Sequence, residues 1–225
     1  MIKLIDISKK YDDLILLKDF NIDFEKNKIT CLFGPSGVGK TTIANIVAGI
    51  VPIDKGCVGG IDNSLFSYVF QEPRLLKWYN VYENIDFVLK DVYKPDERVE
   101  IINSYLNMVE LSEYKNYKVD ALSGGMAQRV SLARAFAYPS HILIMDEPFK
   151  GLDNKLKNEM SSLFLKMWNS SKRTVIFITH DVEEAIDLSH IIFTLKNRPV
   201  NIINRITVNN IVNDKEEIKN LLLSH

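Results

Sequence analysis

The stretch Gly34 to Thr42, reading Gly-Pro-Ser-Gly-Val-Gly-Lys-Thr-Thr, constrains this chain more than any other. It fills the phosphate-binding pattern G-x-x-x-x-G-K-[ST], with Gly34, Gly39, Lys40 and Thr41 in the fixed places. The flanks agree with it. Ile29 to Phe33 is a short apolar and β-branched run, and Thr41 to Ile50 carries Ile43, Ile46, Val47 and Ile50 at helical spacing. In a strand, glycine loop, helix arrangement the loop N–H groups converge on one concavity at the positive end of the helix dipole, where a polyphosphate can accept from them. The candidate nucleotide contacts are Gly34, Ser36, Gly37, Gly39, Lys40, Thr41 and Thr42. Lys40 would reach the β- and γ-phosphates, and the Thr41 hydroxyl would ligate Mg²⁺. The pattern specifies a nucleoside triphosphate and nothing narrower.

A chain of 225 residues with 46% apolar content has enough material for a core without staples. The formal net charge is −1, so no global field argues for nucleic acid, and no nucleic-acid partner is expected. Cys31 and Cys57 follow no metal or redox spacing and read as a small strand residue and a turn residue in a reducing cytosol. The first residues, Met-Ile-Lys-Leu-Ile-Asp, do not read as an export signal, and no apolar run approaches the roughly 20 residues that span a bilayer.

Ile2 to Ile7 and Phe20 to Phe24 alternate apolar and polar residues around a Tyr11-Asp12-Asp13 turn, which predicts antiparallel strands beside the nucleotide core. Tyr11 could stack on a nucleotide base or be an ordinary strand-end tyrosine. Two short strand-like runs, Val58 to Ile61 and Leu65 to Phe70, lead to Gln71 at a strand's C-terminal edge, where α/β proteins place ligand contacts and where a glutamine can also simply be solvated. From Asn80 to about Tyr117 the pattern is helical, with a capping box at Asn80 and Glu83 and a second helix beginning at Pro95. This reads as a helical insertion into an α/β core.

Leu122-Ser-Gly-Gly125 opens another helix. Ser123 is a good N-cap, and the free N–H groups of Gly124 and Gly125 would equally make an anion site. His141 to Met145 is almost wholly apolar, as for a strand buried on both faces, and ends in Asp146-Glu147. Burying two carboxylates is costly unless they act, the first on Mg²⁺ and the second on an attacking water. Leu152-Asp153 starts a helix, Thr174 to Thr179 is a further buried strand ending in His180, and Val182 to Ile186 is a short helix. Ile191 to Leu195 and Val200 to Val208 predict a hairpin across Asn197-Arg-Pro199, followed by a terminal helix over Glu216 to Leu223.

The order Gly34–Thr41, Gln71, Leu122–Gly125, Asp146–Glu147, Asp153, His180 resembles the ATPase subunits of ABC transporters over essentially the whole chain. The Leu-Ser-Gly-Gly signature is the discriminating element. The resemblance implies an α/β, P-loop NTPase cassette: a RecA-like core with an antiparallel β subdomain in residues 1–71 and 138–225, and an inserted helical subdomain carrying the signature in 72–137. It implies ATP and Mg²⁺ as cofactors, with Tyr11 stacking on adenine, and Thr41, Gln71 and Asp146 at the metal. Glu147 would polarise the attacking water, His180 would contact the γ-phosphate, and Lys40 would neutralise phosphate charge. Ser123, Gly124 and Gly125 would meet the γ-phosphate held by a second copy, with Asp153 crossing the same interface, so the family closes as a homodimer around ATP.

Phe70-Gln-Glu-Pro-Arg-Leu-Leu76 with Trp78, the Met126 after the signature, and Thr179-His-Asp-Val-Glu-Glu184 are similar to the ATPases of the nitrate, sulfonate and taurine import family. Lys77, Lys150-Gly151 and Val119 depart from its usual residues. The implied protein is a bacterial importer's ATPase at the cytoplasmic face of the membrane, bound to integral membrane permease subunits and served indirectly by a substrate-binding protein. The alternatives are import of a thiamine pyrimidine precursor, and a soluble ABC-type ATPase acting on ribosomes or DNA.

Overall fold

The computed structural model describes residues 1–61, 65–208 and 212–223. In chain order the elements are β1 (Ile2–Tyr11), β2 (Leu14–Phe24), β3 (Ile29–Phe33), α1 (Lys40–Val47), β4 (Lys55–Gly59), β5 (Phe66–Val69), α2 (Val81–Leu89), α3 (Pro95–Met108) and α4 (Gly124–Ala137). Then come β6 (Ile142–Asp146), α5 (Asn154–Ser170), β7 (Thr174–Thr179), α6 (Val182–Leu188), β8 (Ile191–Lys196), β9 (Asn201–Thr207) and α7 (Val212–Leu223). Contacts divide them into two compact units, one comprising residues 1–66, 141–147 and 172 onward, the other 67–140 and 148–171.

In the first unit β6, β7, β3 and β8 lie side by side in that order as a parallel array, and β9 returns antiparallel on β8. Their apolar runs follow from burial: every residue of β3 and β7 is buried, as the continuous pattern predicts for strands covered on both faces. α1 turns Ile43, Ala44, Ile46 and Val47 inward. A separate sheet, ordered β2-β1-β4, is antiparallel as expected. Its strands are longer than the alternation suggests. β1 runs on to Tyr11 and pairs with Leu14 at the start of β2, but register shifts and left-handed Asp6 (φ 51°) and Asp19 (φ 47°) break the period of two. Asn21 secures one irregularity, accepting from the Asp6 N–H at 3.0 Å and donating to its carboxylate at 2.9 Å.

In the second unit α2 begins at the expected capping box: Asn80 accepts from the Glu83 N–H at 2.8 Å, and Glu83 accepts from the Asn80 N–H at 2.7 Å. Pro95 opens α3. Asn84, fully buried at 0% exposure, accepts from the Leu76 N–H and donates to the Leu76 and Asn80 carbonyls, at 2.8, 3.1 and 2.9 Å. That side chain satisfies backbone groups of a segment with no ladder of its own. α4 packs against α2, α3 and α5, with Phe136 and Phe164 rings 6.2 Å apart. The unit therefore takes in residues 148–171 as well as the helical stretch before α4.

The start of β3 is tied to His190: the Ile29 N–H donates to His190 Nδ1 at 3.2 Å, and the His190 N–H donates to the Ile29 carbonyl at 2.8 Å. Burial first, then the charges of Lys28 and Lys172, hold the imidazole's pKa below its ordinary value. The unfolded chain takes up this proton near pH 6.5 and the folded chain resists it, so the neutral imidazole stabilises the fold above about pH 6.5. That contribution drains away as the pH falls through 6.5 towards the lower folded value. His190→Asn, which keeps an acceptor for Ile29, should flatten the decline in urea midpoint between about pH 7.5 and 5.5 relative to wild type.

Candidate functional site

The parallel register aligns the C-terminal ends of β3, β7 and β6, pairing Phe33 with Thr179 and Asp146 with Ile178. The phosphate-binding loop, Asp146-Glu147 and His180 therefore leave the sheet at one edge, the position at which open α/β sheets bind ligands. Lys40 is 5% exposed and its ammonium donates to the carbonyls of Gly34 at 2.7 Å and Pro35 at 2.9 Å, so the side chain curls back over its own loop. α1 begins after Gly39 with no side-chain cap and no acidic residue in its first turn, leaving its dipole end open to an anionic guest. Gly37 (φ 77°) and Gly39 (φ 126°) occupy conformations that favour glycine.

The Thr41 hydroxyl donates to Asp146 Oδ2 at 2.9 Å. These are two hard oxygen groups beside the loop, and among the described residues no group of three or more His, Cys, Asp or Glu is assembled for a metal. That donor set fits Mg²⁺, which takes one or two protein oxygens and completes its shell with water and phosphate. Glu147 follows in a left-handed conformation (φ 45°), a strained backbone state of the kind that clusters at functional sites. Its N–H donates to the Ile178 carbonyl at 2.9 Å and its Oε1 lies 3.3 Å from His180 Nδ1. His180 is anchored on both sides: Thr179 Oγ1 donates to Glu184 at 2.6 Å and accepts from the Asp181 N–H at 3.0 Å, while Asp181 caps α6.

The second unit carries the other group. Ser123 caps α4, accepting from the Met126 N–H at 3.3 Å, and Asp153 caps α5, accepting from the Leu156 N–H at 3.0 Å. Both line a cavity of about 530 Å³ together with Gly124, Gly125 and Arg129. A Cβ on Gly125 would lie 3.0 Å from both Leu156 methyl groups, so glycine lets the signature helix approach α5. Gln71 also belongs to this unit, exposed on the bend after β5. Tyr11 sits 45% exposed at the end of β1, with Lys9 Nζ 5.2 Å from its ring centroid.

Sequence reasoning missed Gln128 and Arg129. Gln128 is buried and donates to the Pro148 carbonyl at 2.6 Å, while Arg129 donates to Val109 and to the carboxylates of Glu110 and Glu159. The adjacent polar pair Gln128-Arg129, shortly after the signature in a helix otherwise rich in small and apolar residues, is the signal the sequence offers. Cys31 is buried, which pushes its thiol pKa up, and Cys57 is exposed.

A model of the ABC transporter family matches residues 17–150. The taurine import ATP-binding protein TauB of Pelagibacter ubique is 38% identical over 196 residues, which are 81% of this chain and 72% of that protein. TauB of Escherichia coli is 33% identical over 219 residues, 93% of this chain and 85% of that protein. The spermidine/putrescine import ATP-binding protein PotA of Clostridioides difficile is 38% identical over 205 residues, 87% of this chain, which spans 59% of that relative's length. Among solved structures, a dimeric post-hydrolysis state of the ATP-binding cassette MJ0796 bound to ADP and Pi superposes with a TM-score of 0.80 at 26% identity, covering 94% of this chain and 100% of that one. The cbiO1 structure of Clostridium perfringens superposes with a TM-score of 0.84 at 25% identity, covering 99% and 94%. The fold is thus the α/β cassette of ABC ATPases.

The first loop glycine is the tightest point of the site. A Cβ on Gly34 would stand 2.4 Å from the Leu195 carbonyl oxygen, which is backbone and cannot swing away. Gly34→Ala should cost about 2 kcal/mol or more by overpacking, seen as a fall in Tm of roughly 4–8 °C in calorimetry.

Proposed function

The chain belongs to the ABC transporter family, and from that premise we propose that it is the ATP-hydrolysing subunit of a bacterial importer for a small solute of the sulfonate, nitrate and taurine class. The observation that carries the reading is the meeting at one sheet edge of Lys40, the Thr41–Asp146 pair and the Glu147–His180 pair. ATP is the substrate. The loop N–H groups and Lys40 hold its β- and γ-phosphates, and Tyr11 stacks on the adenine. Thr41, Asp146 and Gln71 would hold Mg²⁺, which would supply charge neutralisation on the phosphoryl oxygens. Glu147 takes a proton from the water that attacks the γ-phosphorus, the bond to the ADP oxygen breaks, and His180 orients that water.

In this reading residues 1–71 and 138–225 are the nucleotide-binding core with its β subdomain, and 72–137 the helical subdomain. Ser123, Gly124, Gly125 and Asp153 act on the nucleotide of a second copy. The dimeric state of MJ0796 supports that arrangement. No helix among the described residues is long and apolar enough to cross a membrane. The import ATP-binding relatives support separate permease subunits, with this chain at their cytoplasmic face and, in this reading, a substrate-binding protein outside. The TauB relatives favour a taurine-like solute, whereas the equally identical PotA relative favours a polyamine. The contacts that choose between them lie on the permease and binding protein.

Glu147→Gln should bind ATP with wild-type affinity, remain dimeric in ATP and lose at least about 100-fold in turnover, while Lys40→Ala should fail at binding, read by nucleotide titration and phosphate release. Wild-type turnover by Glu147→Gln would remove the assigned base. Tagged Glu147→Gln purified from detergent-solubilised native membranes with ATP should bring a multi-span permease identifiable by mass spectrometry; ribosomal or DNA-repair proteins alone would overturn the importer reading. Uptake of labelled taurine, lost in a deletion strain while putrescine uptake persists, would fix the solute class, and the reverse result would assign a polyamine.

A further inference from the structure

The end of β8 and the turn that follows it lie against each glycine of the phosphate-binding loop. Leu195 O would stand 2.4 Å from a Cβ on Gly34, Arg198 Nη2 would stand 3.2 Å from one on Gly37, and Val200 Cγ2 would stand 3.0 Å from one on Gly39. Val200 is itself fixed: its side chain is buried, and its N–H donates to the Leu16 carbonyl at 2.8 Å. The exposed Arg198 donates from its guanidinium to the Gly37 carbonyl.

We propose that Arg198 is a positioning residue for nucleotide binding, which pins the Gly37 carbonyl to the outer side of the phosphate-binding loop and thereby keeps the Val38 N–H turned into it. The inference rests on the reading that this loop holds the phosphates of ATP. In a trans peptide the carbonyl and the following N–H point in opposite directions, so fixing one fixes the other. The Val38 N–H already faces the loop interior, 3.4 Å from the Pro35 carbonyl that also accepts from the Lys40 ammonium at 2.9 Å. That long bond is one a phosphate oxygen can replace. A carbonyl rotated inward would instead present its negative end to a polyanion, and Gly37, without a Cβ at φ 77°, offers little resistance to such a rotation. Arginine suits the task because it carries five donors, no acceptor and a permanent charge.

The test titrates full-length wild type, Arg198→Ala and Arg198→Lys with trinitrophenyl-ATP and Mg²⁺ at about 0.1 M KCl, where the screening length is about 10 Å, and at about 0.5 M KCl, which shortens it to roughly 4 Å. Arg198→Ala should raise Kd and the KM for ATP by roughly 5–10-fold, the worth of one lost hydrogen bond, with kcat and Tm unchanged. Arg198→Lys, which retains a donor, should recover most of the affinity, and the loss in Arg198→Ala should persist at the higher salt. Wild-type affinity in Arg198→Ala would overturn the proposal, as would a defect that vanishes at high salt, since that marks a diffuse charge rather than a pinned carbonyl. Lys40→Ala separates the two readings: if it too binds like wild type, the nucleotide assignment itself has failed, whereas loss in Lys40→Ala alone removes only the role of Arg198.

Discussion

Parallel pairing of β3 with β7 and of β7 with β6 places Phe33 beside Thr179 and Ile178 beside Asp146, so that three segments leave the sheet together. The chemistry at that edge is assembled by this register. A slip of one residue would turn each strand's side chains to the opposite face and separate the Thr41 hydroxyl from Asp146, and Glu147 from His180. The strands can hold it because they are buried on both faces, where the apolar runs of β3, β6 and β7 leave few alternative pairings without exposing isoleucine, leucine or phenylalanine.

Around that register the backbone is held in shapes it would not choose alone. Glu147 takes a left-handed conformation, secured by its N–H bond to Ile178. Lys40 is turned inward onto two carbonyls of its own loop. Behind the loop the end of β8 approaches so closely that a side chain at Gly34 would collide with the Leu195 carbonyl, and the turn that follows brings Val200 to 3.0 Å from a Cβ on Gly39. The absence of side chains at these glycines is what admits the supporting strand end and turn behind the loop.

The helical unit uses a different device. Its signature segment and its Asp153 segment are helix beginnings, each closed by a side-chain cap within three residues, at 3.3 and 3.0 Å. Because these bonds are local, they were readable from residue order, as were the capping box at Asn80 and the proline opening α3. The longer-range polar ties were not. Asn84 reaching Leu76 and Gln128 reaching Pro148 look in the sequence like ordinary polar helix residues. The alternation in β1 and β2 stops short of the strand ends because bulges at Asp6 and Asp19 interrupt a pattern whose pairing nevertheless continues.

The sequence by itself determined the element types, the parallel α/β class and the identity of the phosphate loop, the terminal carboxylates and the signature. Each is written in contiguous residues whose periodicity, caps or glycine spacing act over a few positions. Only the tertiary structure decided which of them meet. Thr41 lies 105 positions from Asp146, and Arg198 lies 161 from Gly37. Contacts across such separations depend on strand order and register, which are set by the collective burial of the sheet rather than by any local pattern. Thus Asn197-Arg198-Pro199, an ordinary turn when read along the chain, becomes a wall of the glycine-rich loop once β8 lies beside β3.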